Sequence, residues 1–268
     1  MSRARPVSSP SKLATAVAAA SVALLLLIPA ANGSSSARVA AGSSTQTART
    51  TTTKSKYPHA YTLTSSKIAH WAAVLRPAAA RSAPSMAAHV VTTLATTTTD
   101  ETTNIVLVLS GIDVNAHETW YHVRLPILPN NSTGWVRAGD LGDLYQVDTH
   151  LYVNRETLRA TLKRNGVTVF STIVGVGKSY WPTPPGQYYI RDKLTGFTDP
   201  VYGPVAFGTS ARSPVLTDWP GGGFVGVHGT NEPTILPGYV SHGCIRMPND
   251  SILKLARLLK VGSPLTVT

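Results

Sequence analysis

The chain has 268 residues, with 24 lysine and arginine residues against 13 acidic ones and a formal net charge of +11. With 43% hydrophobic and 14% charged residues it is too apolar to be wholly disordered, and its length allows one or two domains that each bury a core. The single cysteine, Cys244, excludes an intramolecular disulfide framework and any zinc site built on two or more cysteines.

The first segment has the pattern of a secretory signal. Basic residues precede an apolar run over 13–28, and Pro29 ends this run before small residues up to Gly33. The pattern predicts export, with residues 1–33 acting either as a cleaved signal or as a retained N-terminal membrane anchor. We therefore expect the protein in the cell wall, at the outer face of the cytoplasmic membrane or in the periplasm.

Residues 34–56 have the composition of a linker. About half of them are serine or threonine, and they include neither an acid nor an aromatic residue. Such a segment buries too little apolar surface to offset the entropy lost on ordering, which predicts a solvated tether. Nucleic acid is not an expected partner, because the chain has no basic helix and no alternation of aromatic and basic residues.

Residues 57–144 begin with a segment predicted to be helical, Ile68–Leu75, and continue with β patterns. The pattern of a strand, a turn and then Gly134–Leu141 resembles a small bacterial SH3-like barrel. This part is expected either to bind a wall polymer or to serve as packing support. Three segments before the turn are predicted strands: Val90–Leu94, Asn104–Leu109 and Trp120–Leu125.

Residues 147–268 predict a mainly β domain with one C-terminal helix. Asn165-Gly166 joins two strand-like runs, which is a strong hairpin signal because both central residues favour positive φ. The helix is expected to be capped by Asn249 or Asp250 and to end before Gly262. Further strands are predicted at His150–Val153, Leu158–Lys163, Val167–Val174, Gln187–Ile190, Phe224–His228 and Leu265–Val267.

The chemistry-bearing residues lie around the cysteine. Cys244 belongs to the turn-rich segment Ser241–Asn249, with glycine and proline near it. His242 stands two residues before it, and His228 ends a predicted buried strand 16 residues upstream. A strand end and a neighbouring loop can bring an imidazole within hydrogen-bond reach of a thiol. The pattern therefore favours a reactive thiol over an inert buried cysteine.

Such a thiol needs activation, since about a few per cent of free cysteine is ionised at neutral pH. An imidazole can accept the thiol proton and later return it to a leaving amine. Its tautomer needs an acceptor on the other ring nitrogen, for which Glu232, Asp250 and the Gly229 carbonyl are candidates. The backbone amides around Gly243 and Cys244 are candidates to stabilise a developing oxyanion.

These residues carry a family resemblance. His228-Gly229-Thr230, followed after ten residues by Ser241-His242-Gly243-Cys244, is similar to the signature of the L,D-transpeptidase (YkuD-type) catalytic family. The Asn-Gly hairpin and Thr183–Tyr188 agree with it, so that the resemblance covers 147–268. One departure is Arg246, which stands where some branches of the family have asparagine.

The resemblance implies a β-sandwich catalytic domain and a cysteine transpeptidase. Cys244 would attack a peptidoglycan tetrapeptide stem, D-Ala would leave with a proton from His228, and a neighbouring stem would resolve the thioester into a 3→3 cross-link. The Gly229 carbonyl would orient His228. It further implies sensitivity to carbapenems, no metal or organic cofactor, and stem peptides as partners. We also expect a monomer. Four residues are assigned to the oxyanion and substrate-binding region: Ser241, His242, Gly243 and Arg246.

Other functions remain to be weighed against this one. His228, His242 and Cys244 are three potential zinc ligands, although no carboxylate has convincing ligand spacing. A sortase would need its histidine much further upstream, and a papain-like peptidase has its cysteine before its histidine. A catalytically silent wall-binding protein is the alternative from a different class, but such a protein gains nothing from a thiol beside an imidazole.

Overall fold

The computed structural model describes residues 56–217 and 222–268. The predicted signal or anchor, residues 1–33, and all of the predicted linker except Lys56 lie outside the described residues. Within those two ranges, no helix has the length and apolar character needed to span a bilayer. The described chain is mainly β, as the sequence predicted, and its one α-helix is the predicted helix near the C-terminus.

The first sheet occupies residues 59–147 and contains eight strands, each antiparallel to its neighbours. Its path is β4-β3-β7-β6-β5-β2-β8, with β1 paired to β5. The bounds of its strands are β1 (His59–Thr62), β2 (Ala69–Ala73), β3 (Ala78–Arg81), β4 (Val90–Leu94), β5 (Ile105–Asn115), β6 (Glu118–Arg124), β7 (Thr133–Arg137) and β8 (Tyr145–Val147).

The predicted helical segment Ile68–Leu75 is wrong, because Ala69–Ala73 forms strand β2 between β5 and β8. Trp71 of this strand stacks on Tyr145, with 4.7 Å between ring centroids. A short apolar run does not by itself distinguish a helix from a strand. Here the pairing with β5, whose first four residues are buried, decides in favour of the strand.

The second sheet contains ten strands in the order β11-β10-β9-β18-β13-β14-β15-β17-β12-β16. Three of its pairs are parallel: β9 with β18, β15 with β17, and β12 with β16. Its strands are β9 (Thr149–Asn154), β10 (Arg159–Arg164), β11 (Val167–Ile173), β12 (Gly175–Gly177), β13 (Gly186–Thr195), β14 (Val205–Arg212), β15 (Phe224–His228), β16 (Gly238–Ser241), β17 (Ile245–Arg246) and β18 (Pro264–Val267).

Strand β13 connects the two halves of this sheet. Its first residues pair with β18, and from Ile190 onward it pairs with β14. Side chains from both halves share one core, which includes Leu151, Tyr188 and Phe207. The predicted hairpin is confirmed, since Asn165 and Gly166 have φ of 50° and 84° between β10 and β11.

The helix α1 (Asn249–Leu258) packs Ile252 and Leu255 into the same core. The prediction that Asn249 or Asp250 caps it is wrong, because Pro248 occupies the cap position. Asn249 is the first helical residue, and its side-chain oxygen instead accepts a hydrogen bond from the Thr230 amide. The helix N-terminus therefore holds the chain that follows His228.

The two sheets contact each other directly. The Tyr189 hydroxyl donates to the Ile105 carbonyl at 3.0 Å. The Asn130 amide group donates to the Arg212 carbonyl at 2.7 Å and accepts from the Arg212 amide at 3.0 Å. Because Arg212 ends β14, which pairs with β15, these contacts support the strand that carries His228.

Candidate active site

The register of β15 and β17 brings the predicted residues together. Val227 lies opposite Ile245 and His228 opposite Arg246 in this parallel pair. Side chains alternate along a strand, so His228 and Arg246 share one face of the sheet. Cys244 directly precedes β17, and its sulfur accepts a hydrogen bond from the Gly226 amide at 3.3 Å. The cysteine and the histidine are therefore neighbours on that face.

Gly226 leaves the space between the thiol and the imidazole open. A Cβ at this position would lie 3.8 Å from Cys244 Sγ and 3.9 Å from His228 Cδ2. All three residues line a cavity of about 280 Å³, whose walls include Tyr202 and Phe224. Sequence analysis missed Gly226 and Tyr202. The two-residue period of Phe224–His228 was a signal for Gly226, because it places this glycine on the face of His228.

His228 is a buried imidazole with a defined tautomer. It is 3% exposed, and its Nδ1 lies 2.6 Å from the Gly229 carbonyl oxygen. Since a carbonyl only accepts, Nδ1 carries the proton and Nε2 is left as an acceptor in the neutral ring. Burial, with the charge of Arg246, lowers the pKa of His228 to about 4, against the opposing effect of the Gly229 hydrogen bond. The imidazole is therefore neutral at neutral pH.

The thiol is also neutral in the resting site. Cys244 is half-buried, and desolvation raises its pKa, against the opposing effects of the Gly226 hydrogen bond and the Arg246 charge. A proton on sulfur and a free lone pair on the imidazole suit general-base transfer during attack. The pKa directions of Cys244 and His228 do not favour a preformed thiolate–imidazolium pair.

Two hydroxyl groups brace the loop that presents the cysteine. Ser241 is fully buried; its hydroxyl donates to the Cys244 carbonyl at 2.6 Å and accepts from the Gly243 amide at 3.1 Å. The Thr183 hydroxyl donates to the Gly243 carbonyl at 2.7 Å. Gly243 has a φ of +119°, which L side chains rarely adopt. Of the two predicted oxyanion donors, the Gly243 amide is thus bonded to Ser241, and the Cys244 amide remains the candidate.

His242 and Arg246 flank Cys244 in the chain, two residues before it and two residues after it. The His242 ring packs on Trp181 with 4.0 Å between centroids, and it lines a cavity of about 30 Å³ together with Cys244. Burial, with the charges of Lys178 and Arg246, lowers the pKa of His242. Arg246 Nε is buried with no hydrogen-bond partner among the described residues. Its guanidinium is thus the cation that acts on both His228 and Cys244.

Close backbone packing holds the Gly229 carbonyl in place. A Cβ at Gly229 or at Gly203 would overlap the Asn249 side-chain oxygen, and Gly203 has a φ of +64°. The Tyr202 ring packs edge-on against His228, with 5.2 Å between centroids.

In residues 56–217 and 222–268, no three His, Cys, Asp or Glu side chains converge as metal ligands do. The zinc site weighed as an alternative therefore has no supporting geometry in this part of the chain.

Comparison with known proteins identifies the family. The sequence profile of the L,D-transpeptidase catalytic domain (YkuD) matches residues 148–267. YqjB of Bacillus subtilis, which is named as an L,D-transpeptidase, is 31% identical over 131 residues, or 45% of this chain and 72% of that protein. YkuD of the same organism, named likewise, is 29% identical over 127 residues, or 47% of this chain and 70% of that protein.

A solved structure gives a similar match. Bd1075 of Bdellovibrio bacteriovorus is 27% identical, and the match covers 46% of this chain with a TM-score of 0.37. The match spans about half of that protein, 48% of its length. With its profile match and its similarity to YqjB, the chain belongs to the L,D-transpeptidase (YkuD) family.

Proposed function

We propose that this protein is an exported L,D-transpeptidase that cleaves the terminal D-Ala from peptidoglycan tetrapeptide stems and forms 3→3 cross-links. The observation that carries the proposal is the placement of Cys244 and His228 on one sheet face, with Gly226 between them and Nε2 as the free acceptor. This arrangement is what acyl transfer through a cysteine requires.

The reaction begins from the neutral pair. Cys244 Sγ attacks the carbonyl carbon of the amide that joins D-Ala to the preceding residue, while His228 Nε2 takes the thiol proton. The C–N bond then breaks, His228 returns the proton to the D-Ala nitrogen, and a thioester remains on Cys244. An amine of a neighbouring stem attacks the thioester, and His228 takes the proton of this amine. The C–S bond then breaks, and His228 passes the proton to the sulfur, which regenerates the thiol. No organic cofactor or metal enters this balance, because the substrate amide supplies the acyl group.

We assign roles to the other predicted residues from their contacts around the pair. The Gly229 carbonyl fixes the tautomer of His228, and the Cys244 amide is the donor for the oxyanion. Ser241 and Gly243 shape the loop, and His242 lines the smaller cavity beside the thiol. We assign Arg246 to contact an acidic stem peptide, because it lies opposite His228 in the β15–β17 pair.

The first sheet is proposed to be an SH3-like accessory part that acts as packing support. Tyr189 and Asn130 hydrogen-bond across the junction of the two sheets, and Ile105 and Leu107 pack there with Tyr189. Export, through a cleaved signal or a retained anchor, would place the enzyme at the wall, where its positive charge suits an anionic polymer. We propose a monomer, because the two reacting side chains come from one chain.

Intact mass spectrometry tests the proposed function. The full chain is incubated with a carbapenem and, separately, with a disaccharide-tetrapeptide, beside a Cys244→Ala variant. We expect one carbapenem adduct on the wild-type protein, release of D-Ala from the tetrapeptide and a cross-linked dimer as product. An adduct of the same mass on the Cys244→Ala variant would reject the assignment of Cys244 as the nucleophile. No adduct and no D-Ala release, together with binding to isolated peptidoglycan, would favour the silent wall-binding protein.

A further inference from the structure

The buried hydroxyl of Thr183 connects a turn of the second sheet to the catalytic loop. Thr183 is 2% exposed; its hydroxyl accepts from the Gly177 amide at 2.9 Å and donates to the Gly243 carbonyl at 2.7 Å. We propose that Thr183 is a positioning residue that aims the Cys244 amide N–H at the substrate oxyanion. The proposal rests on the proposed function, since it concerns the acyl-transfer step at Cys244.

The geometry of the peptide bond carries the argument. The Gly243 carbonyl and the Cys244 amide belong to one peptide unit, and this unit is not among the cis bonds of the described chain. In a trans unit the C=O and N–H groups point in opposite directions. A hydrogen bond that holds the Gly243 oxygen toward Thr183 therefore turns the Cys244 N–H away from Thr183.

This peptide unit needs an external restraint. Gly243 has no side chain to limit rotation about its backbone, and its φ of +119° is open to glycine alone at low cost. Ser241 holds the peptide units before and after, through the Gly243 amide and the Cys244 carbonyl. The unit between them is held by Thr183. The two hydroxyl groups together thus fix three successive peptide units around the nucleophile.

Thr183 is itself fixed on both sides. Because its oxygen accepts from the Gly177 amide, its hydrogen is directed to the Gly243 carbonyl. A Cβ at Gly177 would lie 2.5 Å from the Thr183 nitrogen, so the two segments pack backbone to backbone. Arg155 Nη1 donates to the Thr183 carbonyl at 3.2 Å. The restraint on the loop is therefore anchored in the sheet.

Two reactions at the same sulfur separate oxyanion positioning from general structure. Acylation by a carbapenem develops an oxyanion, whereas alkylation by iodoacetamide displaces iodide and develops none. In Thr183→Val we expect acylation to slow about 10- to 100-fold, less than the full loss of an oxyanion donor, while the alkylation rate stays within about twofold of wild type. Thr183→Ser, which keeps the hydroxyl, should restore acylation to within about threefold.

Thr149→Val is the matched control. Thr149 is also 2% exposed, and its hydroxyl bonds to Ser263 in a part of the sheet away from the loop. It should show a similar fall in Tm with unchanged acylation. If Thr183→Val does not fold, Thr183→Ala replaces it in the same two assays.

The outcomes decide between the proposals. Acylation of Thr183→Val at the wild-type rate, or equal slowing of acylation and alkylation, would overturn the positioning role. A wild-type protein that the carbapenem does not acylate would overturn the proposed function as well, so the two failures are distinguishable.

Discussion

The two sheets differ in how they bring distant residues together. In the first sheet, residues 59–147, every strand pair is antiparallel. In the second sheet, three pairs are parallel, and such pairs need a crossover connection instead of a tight hairpin. His228 lies in one of them, β15–β17, and Cys244 directly precedes β17. The comparison shows that Cys244 and His228 meet at a parallel strand pair, where β17 runs in the same direction as β15.

Buried polar groups also serve different purposes in the two sheets. In the first sheet, the buried Trp120 donates to Glu118 two residues away, which satisfies a core side chain locally. In the second, Thr183, Ser241 and His228 all hydrogen-bond to the backbone of the segments that form the site. We therefore expect substitutions in the first sheet to change stability and those around β15 and β17 to change chemistry.

The largest effect is expected from His228→Ala. Loss of the proposed general base should slow carbapenem acylation by about 10²- to 10⁴-fold and also slow thiol alkylation at neutral pH. Stopped-flow kinetics and intact mass measure the two rates. His150→Ala is the control, because burial also lowers the pKa of the half-buried His150 to about 4, but its ring hydrogen-bonds to Thr266. Equal rates of acylation and alkylation in His228→Ala and in the wild-type protein would contradict the role of His228 as the base.

A smaller effect is expected from Gly226→Ala. The added methyl group would lie at van der Waals distance from both Cys244 Sγ and His228 Cδ2, so the fold should tolerate it. It would occupy the space through which the proton moves, and acylation should slow about 10- to 100-fold. Gly139→Ala in the first sheet is the matched control, since nothing lies within 4 Å of its Cβ. If Gly226→Ala is acylated as fast as Gly139→Ala, proton transfer from Cys244 to His228 does not need the space beside Gly226.

The smallest effect on chemistry is expected from Asn130→Ala. The variant loses both hydrogen bonds to the Arg212 backbone, which should lower the free energy of unfolding by about 1–3 kcal/mol. Acylation below the unfolding transition should stay within about twofold of wild type. Chemical denaturation and the acylation rate measure the two quantities. A loss of activity without a loss of stability would show that the first sheet acts on the chemistry.

The sequence predicted local features of this structure better than non-local ones. The Asn165-Gly166 hairpin follows from the φ preference of two adjacent residues, and Phe224–His228 has the bounds of β15. The family motif contains both Cys244 and His228, and the two residues line one cavity in the folded sheet. The helix at Ile68–Leu75 was wrong because sheet pairing overrides the pattern of a short apolar run.

The missed contacts depend on packing between segments that are far apart in the chain. Thr183 and Gly243 are 60 residues apart and meet only in the folded sheet, and no spacing rule connects them. The sequence predicted Asn249 as a possible helix cap, but its side chain accepts a hydrogen bond from the Thr230 amide. Gly203 and Gly229 approach each other closely, which brings the Thr230 segment to the N-terminus of the helix. The neutral charge state of the Cys244–His228 pair likewise follows from burial, which the sequence alone does not measure.

The pH dependence of carbapenem acylation tests the central claim most directly. Above a pKa of about 4, His228 is neutral and can accept the thiol proton, and below it the ring is protonated and cannot. The account predicts an acylation rate that falls on the acid side with a midpoint near pH 4, an acid limb that His228→Ala lacks, and no thiolate absorbance at pH 7. A thiolate present at pH 7, together with an acid limb that persists in His228→Ala, would contradict it.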